Sequence, residues 1–140
     1  MIRIAIVDDN TFLQKTIQDK LSFFADVEVR MKAVHGQDII EKLEKNHNLD
    51  LILMDIEMPK MNGIEVCKLI RKTDTTTPII FLTAKDTVQE TIEGLKAGAN
   101  DYIKKPFSFD ELVERIKIHF RNQSEPEVLK LGPIEIQLTK

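Results

Sequence analysis

The sequence predicts an α/β fold in which helices cover both faces of a parallel sheet. Short apolar segments rich in β-branched residues alternate about five times with segments whose apolar residues recur at helical spacing. Such alternation is typical of strand–helix–strand units, whose strands run parallel. The strand segments are also apolar almost throughout, as expected for strands that are buried on both faces.

In the first half of the chain, two predicted strands end in acidic residues. The segment 2–7 stops at Asp8 and Asp9, and the later run 49–54 stops at Asp55. The predicted elements of this half are strands at 2–7, 27–31 and 49–54, a helix capped by Asn10 that contains Leu13, Ile17, Leu21 and Phe24, and helices at 37–45 and 64–71.

The second half begins with Pro78, a residue that is tolerated at the start of a strand. Ser108 and Glu111 have the capping-box spacing that opens a helix. The predicted elements are a strand at 79–83, a helix with Val88, Ile92 and Leu95 that ends at Gly98, a short strand at Tyr102 and Ile103, and a helix with Leu112, Ile116 and Phe120.

Composition narrows the classes of protein. Of the 140 residues, 42% are hydrophobic, which suits a globular domain. The net charge of -3 lacks the basic character that is typical of a nucleic-acid binder. The single Cys67 excludes an internal disulfide. The apolar start of the chain is too short for a signal peptide or a membrane span. We therefore expect a cytoplasmic protein without membrane contact.

The C-terminal part of the chain differs from the rest. Residues 121–127 are polar and include a proline, which is typical of a linker. Residues 128–138 alternate in two short segments around Gly132 and Pro133, which predicts two strands. Two strands alone are marginally stable in water. The sequence thus predicts one domain at 1–121 and, at 122–140, a linker and two strands that either belong to a larger unit or pack on a partner.

Polar side chains stand at the ends of four predicted strands, namely Asp8 with Asp9, Asp55, Thr83 and Lys105. Ligands of an open parallel sheet bind beyond the carboxyl ends of its strands, so these side chains are expected around one crevice. Three close carboxylates repel one another unless a cation lies among them, and oxygen ligands without histidine favour Mg²⁺. An ammonium and a hydroxyl group suit phosphoryl oxygens. The set predicts a magnesium-assisted phosphoryl site.

Each of these residues also has a purely structural interpretation. An aspartate after a strand is more often a turn former or a helix cap, a threonine is a common strand residue, and a lysine is commonly solvated. The coincidence of suitable residues at four strand ends favours the functional interpretation. Three histidines show no spacing for a metal or catalytic site and are expected at surface or cap positions, and the cysteine is expected in the core: His35, His47, His119 and Cys67.

Several motifs fall at the predicted strand ends and loops. They are Val-Asp-Asp-Asn at 7–10, Leu-Met-Asp-Ile-Glu-Met-Pro at 53–59 with Asn62 and Gly63, Pro-Ile-Ile-Phe-Leu-Thr-Ala at 78–84, Gly94 with Ala-Gly-Ala at 97–99, and Asp-Tyr-Ile-Lys-Lys-Pro-Phe at 101–107. Together they resemble the receiver domains of bacterial two-component response regulators. The resemblance implies a flavodoxin-like, doubly wound five-stranded parallel sheet of strand order 2-1-3-4-5.

The resemblance also implies a role for each matching residue. Asp55 would accept a phosphoryl group from a sensor histidine kinase, and a cis Lys105–Pro106 bond would aim Lys105 inward. Lys104 is a rival by residue type, but neighbours in a strand point to opposite faces. The implied Mg²⁺ ligands are Asp8, Asp9, Asp55 and the backbone carbonyl of Glu57, the implied phosphoryl-binding residues are Thr83 and Lys105, and the implied switch pair is Thr83 and Tyr102.

The resemblance also extends to the effector domain and the dimer surface of one type of response regulator. Residues 129–136 resemble the start of the winged-helix domain of OmpR/PhoB-type regulators. The resemblance implies that residues 122–140 are a linker and the opening strands of a truncated C-terminal effector domain, so DNA would be bound only through a domain absent from this chain. Dimers of that type pair charged residues of the fourth helix, fifth strand and fifth helix. Three residues here match that surface, Asp101, Glu111 and Arg115, whereas Thr91 stands where a basic residue is usual. Asp101 and Arg115 equally suit a pair of solvated surface charges.

Three classes of function remain open on the sequence alone. The first is a phosphorylation-dependent switch that controls transcription, and the second is a stand-alone receiver that acts by protein contact. The third is a magnesium phosphohydrolase of the haloacid dehalogenase kind, whose nucleophile follows the first strand as Asp-x-Asp. Here Asp8 and Asp9 are adjacent, and the better nucleophile follows the third strand. We therefore expect a signalling switch rather than an enzyme.

Overall fold

The fold is a single parallel sheet between two layers of helices. The structure is a computed structural model that describes residues 1–45, 48–84 and 88–124. Its elements are β1 (Ile2–Val7), α1 (Thr11–Leu21), β2 (Val27–Ala33), α2 (Gly36–Lys45), β3 (Leu51–Met54), α3 (Gly63–Arg71), β4 (Ile79–Thr83), α4 (Val88–Lys96), β5 (Asp101–Lys104) and α5 (Phe109–Ser124). Five strands pair in parallel in the order β2-β1-β3-β4-β5. The predicted flavodoxin-like fold class is confirmed.

Alternation along the strands divides the core into two parts. In β1, Ile4 and Ile6 pack with residues of α1 and α5, whereas Ala5 and Val7 pack on the opposite face with residues of α2 and α3. Successive side chains of a strand point to opposite faces, so a strand that is covered on both sides must be apolar throughout. Cys67 is buried in the second of these clusters, as predicted.

Side-chain caps fix where the helices begin. The Asn10 carboxamide accepts a hydrogen bond from the Leu13 backbone N–H at 3.0 Å, which confirms the predicted cap of α1. Asn62 and Glu65 form a capping box at the start of α3 that the sequence analysis missed. The Ser108 hydroxyl accepts from the Glu111 backbone N–H at 3.0 Å at the start of α5.

Helix α4 contacts the sheet through small residues rather than through its large apolar side chains. A Cβ atom on Gly94 would lie 3.0 Å from two ring carbons of Phe81, so the helix backbone lies close to β4. Three apolar residues of the same helix instead face outward: Val88 is 75% exposed, Ile92 42% and Leu95 49%. The predicted helix is present, and its apolar side chains lie largely at the surface.

The C-terminal helix runs past the predicted domain boundary at residue 121. Helix α5 continues to Ser124, and the sequence contains no helix-breaking residue there before Pro126. The first residues of the predicted linker are therefore helical. The rest of the predicted linker and both predicted strands lie outside the described residues, as do the side chains of 120–124 and His47.

None of the helices in the described part of the chain is both long enough and apolar enough to cross a membrane.

Candidate functional site

The predicted site residues lie together at the carboxyl-terminal edge of the sheet. Backbone hydrogen bonds hold neighbouring strand ends side by side there. The Asp55 N–H donates to the Val7 carbonyl at 2.9 Å, and the Lys105 N–H donates to the Thr83 carbonyl at 2.8 Å. The ends of β1, β3, β4 and β5 therefore converge on one crevice, as expected for an open parallel sheet.

Three carboxylates form the centre of this crevice. Asp8, Asp9 and Asp55 each offer an oxygen atom, and these oxygens all lie within 4.8 Å of one another. Asp8 is 3% exposed and Asp55 7% exposed, whereas Asp9 is exposed. Burial and the nearby Asp8 raise the pKa of Asp55, and Lys105 and hydrogen bonds to the carboxylate oppose that rise.

Lys105 is the cation of this cluster. Its Nζ lies 3.0 Å from Asp8 Oδ2 and 4.0 Å from Asp55 Oδ2. The Lys105–Pro106 peptide bond is cis, and the preceding Lys104 is exposed. The structure thus brings Lys105, rather than its rival by residue type, to the carboxylates.

Two further groups bind the Asp55 carboxylate. The hydroxyl of Thr83, which is fully buried, and the backbone N–H of Glu57 both form hydrogen bonds with it. Glu57 belongs to the loop between β3 and α3, which passes very close to Asp55. A Cβ atom on Gly63 would lie 2.2 Å from the Asp55 carbonyl oxygen, so this close approach requires glycine. The loop therefore fixes the backbone on which Asp55 stands.

The donor set fits Mg²⁺. Three carboxylates against one ammonium leave an excess of negative charge in a partly buried site. All of these ligand atoms are oxygens, which Mg²⁺ prefers, and the exposed Asp9 leaves one side of the cluster open to water and to a phosphate group. A divalent cation would relieve the repulsion from Asp8, which adds to the effect of burial in raising the pKa of Asp55.

Tyr102 lies on β5 beside β4. It pairs in register with Phe81, two residues before Thr83, and packs half-buried against the core layer that contains α2 and α3. Thr83 and Tyr102 therefore lie on adjacent strands, two positions apart in register.

The residues predicted for a dimer surface form a cluster within one chain. Arg115 donates to both carboxylate oxygens of Asp101, at 2.9 and 3.0 Å, and also contacts Glu111 at 3.1 Å. His119 Nε2 lies 3.0 Å from Asp101 Oδ2. Although burial opposes them, hydrogen bonds from His119, the Tyr102 backbone and Arg115 hold the pKa of Asp101 below its ordinary value.

The remaining histidine of the described residues has a structural role. His35 Nδ1 accepts a hydrogen bond from the Asp38 backbone N–H at 3.1 Å at the start of α2, which confirms the predicted cap position. His119 belongs to the Asp101 cluster, a contact across 18 residues that no local motif indicates. Gln14, a buried residue of α1 beside Asp8, is also not indicated by any sequence motif.

Comparison with known proteins decides the family. The family model for the response regulator receiver domain matches residues 4–117 of the sequence, which include every residue of the crevice. The chain belongs to the response regulator receiver domain family. Members of this family are signalling switches rather than classical enzymes, and they receive a phosphoryl group from sensor histidine kinases. This confirms the predicted resemblance to receiver domains.

The relatives extend the match over almost the whole chain. The chain is 38% identical over 139 residues to the response regulator MprA of Mycobacterium sp. strain KMS, covering 99% of this chain and 57% of MprA. It is 37% identical over 141 residues to the transcriptional regulatory protein TrcR of Mycobacterium tuberculosis, covering 96% of this chain and 53% of TrcR. The chain therefore spans little more than half the length of these curated relatives.

A solved structure supports the same assignment. The receiver domain of the Francisella response regulator 1452 superimposes with a TM-score of 0.79 at 34% identity, covering 87% of this chain and 98% of that domain. The similarity thus concerns the receiver domain as a complete folded unit.

Proposed function

We propose that this receiver domain accepts a phosphoryl group on Asp55 from a sensor histidine kinase, with Mg²⁺ bound by Asp8, Asp9, Asp55 and the backbone carbonyl of Glu57. The observation that carries the proposal is the geometry around Asp55. This carboxylate is nearly buried, accepts a hydrogen bond from Thr83, and has Lys105 Nζ at 4.0 Å.

The chemistry is an in-line displacement. An Asp55 oxygen attacks phosphorus, a P–O bond forms, and the bond from phosphorus to the donor nitrogen or oxygen breaks with its electron pair leaving on the donor. Attack requires ionised Asp55, and the nearby ammonium of Lys105 favours that form. When bound, Mg²⁺ would offset the negative charge of the incoming phosphoryl group. The Thr83 hydroxyl and Lys105 ammonium would then donate to phosphoryl oxygens.

The first test uses the wild-type chain with acetyl phosphate as donor. We expect intact-mass measurement to show the addition of one phosphoryl group in the presence of Mg²⁺ and none after chelation. Hydroxylamine should remove the group, since it cleaves acyl phosphates. Unmodified wild-type protein at saturating donor and Mg²⁺ would contradict the proposal. Steady turnover of a phosphomonoester would instead favour the phosphohydrolase alternative, against which the family match argues.

Phosphorylation would act on the surface formed by α4, β5 and α5. Thr83 hydrogen-bonds Asp55 and lies one strand from Tyr102. Drawing the hydroxyl toward a phosphoryl group frees space that the Tyr102 ring can fill. Since α4 lies directly on Phe81 through Gly94, a shift there would reach the outer face of the domain. A charge change at Asp55 would thus change the preferred conformation of the surface formed by α4, β5 and α5.

The output we propose is control of transcription through a C-terminal DNA-binding domain absent from this chain. Three observations support it: the resemblance of residues 129–136 to a winged-helix start, the nearly twofold greater length of the relatives, and the name of TrcR as a transcriptional regulatory protein. The alternative is a stand-alone receiver that acts by protein contact. The coding sequence beyond Lys140 distinguishes a transcriptional regulator from a stand-alone receiver. The cytoplasmic location of the protein stays a prediction.

We expect activation to strengthen a homodimer through Asp101, Glu111 and Arg115. Beryllofluoride with Mg²⁺ mimics the acyl phosphate, and sedimentation should show association at least tenfold tighter, or about 1.4 kcal/mol. Arg115→Glu should remove this gain because it destroys both ion pairs of Arg115. Arg30→Glu, on the far edge of the sheet, serves as the matched control.

Mixing single variants separates a contact between chains from the contact within one chain. If Arg115 pairs with Asp101 of a second copy in the active dimer, equimolar Arg115→Glu and Asp101→Arg chains should form heterodimers. If the pair stays within the chain, only the double variant should regain dimerisation. An unchanged monomer fraction with and without beryllofluoride would contradict activation-coupled dimerisation and leave the phosphorylation proposal intact.

A further inference from the structure

Gln14 is a buried polar residue of α1 that no motif marks. It is 4% exposed, and its carboxamide nitrogen donates two hydrogen bonds of 2.7 Å, one to the backbone carbonyl of Asp8 and one to the backbone carbonyl of Ala33. We infer that Gln14 is a positioning residue of the cation site, which sets the orientation of the Asp8–Asp9 peptide and thereby of both carboxylates. This inference rests on the proposed Mg²⁺ site.

The contacts of Gln14 connect three elements at the site. The Ala33 carbonyl at the end of β2 also accepts the Asp8 backbone N–H at 3.0 Å, so one carboxamide links α1 to the ends of β1 and β2. Both protons of the carboxamide are used. A side chain of similar shape without N–H groups would leave two buried carbonyls without this donor.

The Asp8 carboxylate has other contacts that hold it in place. Asp8 Oδ1 accepts from the Asn10 backbone N–H at 2.9 Å, and Asp8 Oδ2 contacts Lys105 Nζ at 3.0 Å. Its position therefore depends on the peptide and on two direct partners.

The position of the Asp9 carboxylate depends much more strongly on the Asp8–Asp9 peptide. Within the described residues, the exposed Asp9 carboxylate has no hydrogen-bond or ion-pair partner. Its distance to the other two carboxylates is thus set by the backbone that carries it. The carbonyl of Asp8 belongs to the same rigid peptide plane as the N–H of Asp9, and Gln14 holds that carbonyl. Gln14 accordingly acts on the cation site chiefly through Asp9.

A purely structural role for Gln14 predicts a different result from a positioning role. If Gln14 only satisfies buried carbonyls, its loss lowers stability, but the folded protein binds Mg²⁺ as before. If it positions the peptide, Mg²⁺ binding weakens in the folded protein as well. Groups that orient metal ligands typically change metal affinity by about 10- to 100-fold.

The test compares Gln14→Met with Ile17→Val in the unphosphorylated chain. Ile17 lies one turn further along α1, is fully buried, and belongs to the core cluster in which α1 and α5 pack on the sheet, so its truncation lowers stability without touching the site. Calorimetric titration with Mg²⁺ is done at a temperature where all variants are folded. We expect Gln14→Met to raise the Kd about tenfold and Ile17→Val to leave it within twofold.

Two additional measurements sharpen the test. In the Asp9→Ala background, Gln14→Met should change the Kd by less than twofold, since the group through which it acts is gone. With acetyl phosphate, Gln14→Met should raise the half-saturating Mg²⁺ concentration while the maximal rate stays near that of wild type. If Gln14→Met fails to fold, Gln14→Asn, whose carboxamide is one methylene too short to keep both contacts, is expected to raise the Kd in the same way.

The outcomes separate this inference from the proposed function. A Gln14 variant that is folded and binds Mg²⁺ like wild type would overturn the positioning role and leave the Mg²⁺ site standing. Equal weakening by Ile17→Val would also overturn it, because the effect would then follow from stability. Absence of Mg²⁺ binding by the wild-type chain would overturn both.

Discussion

Replacing Asp55 with Asn is expected to abolish phosphorylation by acetyl phosphate while leaving the fold intact. The carboxamide matches the carboxylate in size but is not a nucleophile toward phosphorus. It also removes one of the three carboxylates that repel one another in the crevice. Intact-mass measurement should therefore show no phosphoryl addition under conditions that modify the wild type fully, and circular dichroism should show an unchanged fold.

Asp19→Asn is the matched control for this variant. Asp19 is exposed on α1 and pairs with Lys15, away from the crevice, so its substitution should leave phosphorylation at the wild-type level. Phosphorylation of Asp55→Asn at that level would assign the acceptor to another residue.

The Asp55→Asn variant also reports on the buried charge of the Asp55 carboxylate. Burial raises the pKa of Asp55 above its ordinary value of 3.8, so the folded state binds this proton more tightly than the unfolded state. In metal-free buffer, the unfolding free energy of wild type relative to Asp55→Asn should consequently fall as the pH rises from 3.8 through the raised pKa. Urea unfolding of both proteins across this range measures the difference.

Magnesium is expected to stabilise the wild-type chain and to have much less effect on Asp9→Ala. At a concentration one hundred times the Kd, a ligand of the folded state adds about 2.7 kcal/mol to the unfolding free energy. That gain corresponds to roughly 5–15 °C in melting temperature for a domain of this size. Without metal, Asp9→Ala should be at least as stable as wild type, because one repelling charge has gone from the cluster.

Asp19→Ala is the control for loss of an aspartate from the same part of the chain. It should keep the full response to Mg²⁺. Equal melting-temperature gains in wild type and Asp9→Ala would count against a cation site at this cluster.

The fold could be predicted well from the sequence because the three central strands, β1, β3 and β4, are covered on both sides. A strand such as β3, with every residue buried, has to be apolar throughout, and its end is marked by the first polar residue, here Asp55. Parallel strands also place all their carboxyl ends at one edge of the sheet. The convergence of Asp8, Lys105 and their neighbours therefore followed from strand ends alone.

Helix α4 shows what helical spacing does not determine. The spacing of Val88, Ile92 and Leu95 indicates an apolar face, but it does not say which element covers that face. The helix instead approaches β4 through Gly94, where a Cβ atom would lie 3.0 Å from two ring carbons of Phe81, closer than an ordinary van der Waals contact. The large apolar side chains of the helix are left largely exposed.

Side-chain contacts between distant elements could also not be predicted from the sequence. Asp101 meets Arg115 and His119 across 14 and 18 residues, separations that depend on how β5 and α5 pack. Gln14 reaches Ala33 across 19 residues in the same way. The capping box at the start of α3 is different, since its Asn-x-x-Glu spacing at Asn62 is readable as a local signal.

The most direct test of the central claim is to locate the phosphoryl group on the wild-type chain. Borohydride reduces an aspartyl phosphate to homoserine, which tandem mass spectrometry of the digested protein assigns to one position. After phosphorylation with acetyl phosphate and Mg²⁺, we predict homoserine at position 55 and unmodified aspartate at positions 8 and 9. Homoserine at either of those positions, or at an aspartate outside the crevice, would contradict the assignment of Asp55 as the acceptor.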